Sequence, residues 1–202
     1  KLIMTHNIGE EIAGTYLKVC KDCDFVEYNL YTTEVQGEID VVGINTKNKK
    51  DFICEVAIHL ETGIQYTKNN QPDNYNRFVK KFEKDITYAN NRFDDSYEKT
   101  FMLWSPIVKN QKETAKHNQL KALTEVQAYL KETYKVDLEL VINQKFMDCL
   151  DELRNYAGKQ TEELKSPILR LMQIEYKLGR HATKELKKEA SKISVNLGGN
   201  DL

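Results

Sequence analysis

Residues 37–56 read GEIDVVGINTKNKKDFICEV. The run "GEIDVVGIN" (37–45) predicts a strand, "TKNKKD" (46–51) a polar turn, and "FICEVAIHL" (52–60) a second strand. A short link between two such runs makes them an antiparallel pair. Each strand carries an acid inside an otherwise apolar stretch. The two-residue period of a strand puts Glu38, Asp40 and Val42 on one face of the first run. It puts Glu55, Ala57 and His59 on one face of the second. If those faces point the same way, Asp40 and Glu55 come within cross-strand reach of each other. Two carboxylates so close repel and lose solvation, so each stays ionised only at a cost. A hard divalent cation removes that cost. Mg²⁺, with Mn²⁺ as a substitute, is held by one or two carboxylates plus waters and phosphate oxygens. The pattern therefore points to a metal cradle for phosphodiester chemistry, although a structural ion pair uses the same residue types.

Outward from this pair, apolar residues at helical spacing predict a helix from Thr5 to about Cys20, through Ile8, Ile12, Tyr16 and Val19. "DFVEYNLYT" (24–32) alternates as a strand, which completes a three-stranded meander. Residues 61–76 are loop-rich. A helix is expected over 76–93, a short strand at "TFMLWS" (100–105), a long amphipathic helix over 111–134 and a last strand at "VDLELVI" (136–142). Helices follow at about 144–157, 166–179 and 182–193, and the final "NLGGNDL" is expected to fray. The expected fold is α/β: a mixed β-sheet, built from an antiparallel meander plus an αβα crossover, flanked by helices on both faces. Residues 1–142 form the expected core and 143–202 a C-terminal helical extension packed on it.

The chain has 202 residues, 40% apolar and 30% charged, with a net charge of −1. That composition excludes a disordered chain and gives no global positive field. "KNKK" (47–50) and "KNQKETAKHNQLK" (109–121) are local basic runs, read as a solvated loop and helix face or as nucleic-acid contacts. No apolar run is long enough to span a bilayer and no signal-peptide pattern is present, so no membrane association and a cytoplasmic location are expected. The chain begins at a lysine, which leaves room for an upstream piece. Cys20 and Cys23 form a lone C-x-x-C without the second ligand pair of a zinc site, so reduced structural thiols are expected for these and for Cys54 and Cys149.

"GEEIAGTYL" (9–17), Asn29, "GEID" (37–40) and "FICEV" (52–56) occur in an order that resembles the PD-(D/E)XK restriction-endonuclease-like nucleases. Locally the chain is similar to bacterial predicted endonucleases akin to Holliday-junction resolvases. The likeness covers residues 7–60 by motif and 61–142 by order of elements only. It implies a restriction-endonuclease-like fold and a metal-dependent DNA endonuclease, with Asp40 and Glu55 as metal ligands. Glu10 is then the acid that the first helix adds, with Glu11 one residue away. Gln65 and Tyr66 are loosely the implied substrate contacts, and Lys68, in the same loop, is a further substrate-binding candidate. DNA is the implied partner, RNA stays open, and a homodimer suits an enzyme that cuts two strands.

In that family the third-strand motif ends in lysine, but this chain has Ala57. A methyl group cannot stabilise developing negative charge. Three readings stay open. The cation comes from elsewhere: from His59, about 7 Å along the strand, or from Lys68, Lys80, Lys81 or Lys84. Alternatively, Ala57 is an engineered replacement for a lysine. In the third reading the domain binds nucleic acid without cutting it. An RNA-cutting toxin is a further alternative function. The helical tail, with Leu169, Met172, Ile174 and Leu178 among charges, is expected to pack, to dimerise, or to meet DNA through Arg170, Lys177 and Arg180.

Overall fold

The computed structural model describes residues 7–32, 37–112 and 114–197, with 189–197 as helix backbone only. The expected helix start at Thr5 and most of the C-terminal "NLGGNDL" lie outside the described residues. Helix α1 (Ile8–Cys20) opens with a capping box: the Asn7 side chain accepts from the Gly9 and Glu10 amides while Glu10 reaches back to Asn7. Strands β1 (Phe25–Thr32), β2 (Gly37–Asn45) and β3 (Lys50–Val56) follow. A small ribbon, β4 (Thr67–Lys68) and β5 (Gln71–Pro72), turns through Asn69 and Asn70. Their φ of 51° and 59° gives the two left-handed residues of a tight hairpin, which asparagine tolerates. Then come α2 (Asn74–Arg92), β6 (Glu98–Ser105), α3 (Gln119–Tyr134), β7 (Leu138–Ile142), α4 (Asn143–Lys159) and α5 (Pro167–Leu197).

The main sheet has the order β1-β2-β3-β6-β7. β1, β2 and β3 pair antiparallel, whereas β3–β6 and β6–β7 are parallel, because helices carry the chain back across the sheet. The protein is thus an α/β fold with a mixed five-stranded sheet flanked by helices. One face takes α1, whose Leu17 lies so close to β2 that a β-carbon at Gly43 would sit 2.8 Å from Leu17 Cδ1. On the other, Val42, Ile53, Phe101 and Leu103 meet Phe78, Phe82 and Ile86 of α2 and Leu123, Val126 and Leu130 of α3 in one core. Truncating Phe82, which is fully buried, would cost about 3–5 kcal/mol.

Several expectations need correction. β3 starts two residues earlier than "FICEVAIHL" suggests, because Lys50 and Asp51 pair with both β2 and β6. It ends at Val56, whose amide donates to the Asp40 side chain (2.7 Å). The third helix begins at Gln119, not 111, because Asn118 caps it by accepting from Lys121 N. The helices expected at 166–179 and 182–193 are one helix, α5; an exposed Gly179 weakens a helix without breaking it. The chain divides into two compact units, Lys1–Leu150 and Asp151–Leu202, and the division falls inside α4. In the second unit Gln173 is buried and donates to the Gln160 and Glu162 carbonyls, and the Tyr176 ring packs over Gly158. Cys20, Cys23, Cys54 and Cys149 are free thiols. Among the described residues no helix is long and apolar enough to cross a membrane.

Candidate active site

β2 and β3 carry Asp40 and Glu55 to the same end of the sheet. The pairing of Val41 with Cys54 and of Val42 with Ile53 puts Asp40 opposite Glu55 one step further on. Both acids share the face that α2 covers, and they meet there. The Lys81 ammonium contacts Glu55 Oε2 and lies 3.6 Å from Asp40 Oδ2. Glu55 is 1% exposed, so its charge has almost no water to rely on.

Helical spacing explains why α2 can serve these acids. Phe78, Phe82, Ile86 and Ala89 form its inner stripe. Lys81 and Lys84 flank that stripe on the side of β2 and β3. Lys84 Nζ lies 3.5 Å from Glu55 Oε1 and 3.2 Å from Asp85 Oδ1, and donates to the Glu38 carbonyl. Asp85 sits inside the stripe and is fully buried; neither of its carboxylate oxygens makes a well-formed hydrogen bond. Three carboxylates, Asp40, Glu55 and Asp85, thus surround two ammonium groups. Burial pushes the Glu55 carboxyl well above the ordinary range; Asp85 and Asp40 push the same way and Lys81 opposes them. Burial likewise raises Asp85 to about 6, against the pull of Lys84. Burial works against the Lys81 charge, but Glu55 and Asp40 outweigh it and hold the ammonium above lysine's usual value.

Above this acidic floor lies an open cleft of about 720 Å³. Its lining includes Lys68, Arg77, Lys80, Lys81 and Lys84 against only Glu38, Asp40 and Asp73 as acids. A chain with net charge −1 has therefore concentrated cations at one mouth.

The sequence candidates divide accordingly. Asp40 and Lys68 line the cleft, and Glu55 lies beneath it. Glu10 is buried but does not line it. Its carboxylate is held by Asn7 and by Asn29 Nδ2 (3.3 Å), and burial raises its pKa, helped by the charge of Asp40. Glu11 acts instead on Tyr28, whose hydroxyl burial pushes up to about 12 with Glu11 adding to it. Ala57 follows the end of β3 and sits in the apolar core shared with Ile64 and Phe78. His59 does not continue the Glu55 face: it is exposed, and its Nε2 meets the Tyr66 hydroxyl at 3.0 Å. Tyr66 also packs against Phe78 and lies under the Arg77 guanidinium, 4.1 Å from its ring centroid. Gln65 is exposed. Asp85 was not singled out in the sequence. The signal was available: a carboxylate one position before Ile86, in the inward register of an amphipathic helix.

Among the described residues no three His, Cys, Asp or Glu side chains are close enough to hold an ion by protein ligands alone. The donor set nevertheless fits a hard ion that keeps most of its waters. Two carboxylates converge on one cationic point, and the surrounding cluster has one more carboxylate than ammonium groups. No protein-family model, curated protein or solved structure gives a significant match to this chain.

Proposed function

We propose that this chain is a metal-dependent DNA endonuclease of the restriction-endonuclease-like kind. The observation that carries the proposal is the meeting of Asp40 and Glu55, from neighbouring strands, on one cationic point beneath a basic cleft. Asp40 and Glu55 are the residues that would hold Mg²⁺ or Mn²⁺. The ion, when bound, polarises a phosphoryl oxygen and lowers the pKa of a water. Lys81 supplies the ammonium that Ala57 lacks: it comes from α2 instead of β3 but meets the same two acids. Lys68, Arg77 and Lys80 line the cleft where flanking phosphates would lie. Glu10 acts as a positioning residue, tying the start of α1 to the middle of β1 by accepting from the Asn29 side chain. His59 steadies Tyr66, and Tyr66 in turn steadies Arg77.

The test is incubation with supercoiled plasmid and with a single-stranded RNA, each with Mg²⁺, Mn²⁺ or chelator. Nicking of the plasmid that needs the ion and falls steeply with salt is expected. Cutting of RNA alone would replace DNA as the substrate. Salt-sensitive binding without cutting under any ion would leave a nucleic-acid-binding module that kept the fold.

A further inference from the structure

Lys81 and Lys84 both touch Glu55, yet they are held differently. Lys84 is pinned by Glu55, by Asp85 and by the Glu38 carbonyl, and its side chain is only 9% exposed. Lys81 is 32% exposed, lines the cleft, and has the two acids Asp40 and Glu55 as its partners. It therefore sits where an ion bound by those acids would sit, and it has open space into which it can withdraw. Charge favours that exchange. Asp40, Glu55 and Asp85 carry three negative charges when ionised, while Lys81 and Lys84 carry two positive ones. Exchanging the Lys81 ammonium for a divalent ion makes the buried cluster neutral, and buried net charge is costly.

We propose that the Lys81 ammonium is a built-in competitor for the metal seat between Asp40 and Glu55: it keeps the acids paired when no ion is bound, and ion binding releases it into the cleft, where the phosphate is expected. This rests on the nuclease reading and adds the regulation of its metal site. An intramolecular competitor lowers the apparent affinity for the ion, because each binding event must displace it. A full charge in the seat differs in kind from a charge on the rim, so Lys80, on the same helix and lining the same cleft, is the fair control.

The experiment is calorimetric titration of the full chain with Mn²⁺ for wild type, Lys81→Met, Lys80→Met and Asp40→Asn, without nucleic acid. Wild type should bind and Asp40→Asn should not. Lys81→Met should bind about tenfold tighter or better, a coupling of ordinary size, and Lys80→Met should change little. Equal or weaker binding by Lys81→Met, or the same gain from Lys80→Met, would overturn the competitor and leave the metal site standing. No Mn²⁺ binding by any form would remove the metal site itself. A second measurement needs no variant. Brief acetylation of wild type, read by mass spectrometry, should label Lys81 faster with Mn²⁺ than without it, while Lys84 stays slow. A Lys81 rate that Mn²⁺ leaves unchanged or lowers would equally refute the exchange.

Discussion

Two of the open clefts among the described residues lie at opposite ends of the sheet, and the larger of the two is the less informative. That cleft, about 850 Å³, lies where β3, β6 and β7 begin and is lined by Lys50, Glu98, Lys99, Lys135, Asp137 and Glu139 among others. Its charges are of mixed sign and several face water; the Lys50–Glu98 pair, at 3.0 Å, is 42% and 66% exposed. The smaller cleft, about 720 Å³, covers a floor where Glu55 and Asp85 are 1% and 0% exposed. Volume measures only room for a ligand. Charge held out of water is under electrostatic stress, and an arriving ion can relieve it. The difference teaches that a candidate site is marked by ionisable groups buried against their tendency, and not by volume.

The sharpest way to break this comparison is to neutralise one acid at each end. Asp40→Asn keeps an oxygen that can still accept from the Val56 amide, so the junction of β2 and β3 should survive. Ion-dependent nicking should nevertheless fall by at least about 10²-fold, as expected when electrostatic stabilisation of the reacting phosphate is lost. Glu98→Gln, in the larger cleft, should leave the rate within about twofold, since an exposed pair contributes little. Rates measured side by side on one plasmid decide the matter. Equal losses would mean that burial does not mark the site.

Much of this contrast was legible in the sequence, and the rest was hidden for physical reasons. The period of two in "GEIDVVGIN" and "FICEV" was enough to bring Asp40 and Glu55 to one face, because register leaves a strand little choice. The same rule failed at His59. It assumes the strand continues, and β3 stops at Val56, where the Asp40 side chain takes the amide. Such a strand end, with the Val56 amide on the Asp40 side chain and the Ala57 amide on the Trp104 carbonyl, is a tertiary feature that periodicity does not encode. Lys81 and Lys84 were two of several lysines able to reach the acids; only the packing of Phe78 and Phe82 against the sheet selects them. Asp85 was overlooked because an acid on a helix ordinarily faces solvent. Its position beside Ile86 in an apolar stripe was the exception to notice.

A smaller effect sharpens the comparison through pH. Asp85 titrates at about 6 in the folded chain, above the ordinary aspartate value of 3.8. Between those values the folded state holds more protons than the unfolded one. Its stabilising contribution is therefore complete below about pH 4 and is lost as pH rises through 6. In metal-free protein, Asp85→Asn should match wild type near pH 3.5 and exceed it at pH 7.5 by up to about 3 kcal/mol in urea unfolding, at about 1.4 kcal/mol for each pH unit between 3.8 and 6. Asp137→Asn, at an exposed carboxylate of the larger cleft, should shift neither end of the profile. A parallel offset for Asp85→Asn at both pH values would mean that its carboxyl is not strained.

The smallest effect concerns the larger cleft alone. If its ion pairs are solvent-screened decoration, a double-mutant cycle on Lys50 and Glu98 should return a coupling of about 0–1 kcal/mol that vanishes in high salt. Lys50 belongs to β3 and Glu98 to β6, paired in register, so each single substitution leaves the ladder intact and the cycle isolates the side chains. A coupling above about 2 kcal/mol that survives 1 M salt would put the pair in the energetic class of buried charges. The two ends of the sheet would then differ in degree only, and electrostatic stress would no longer single out the Asp40–Glu55 end as the reactive one.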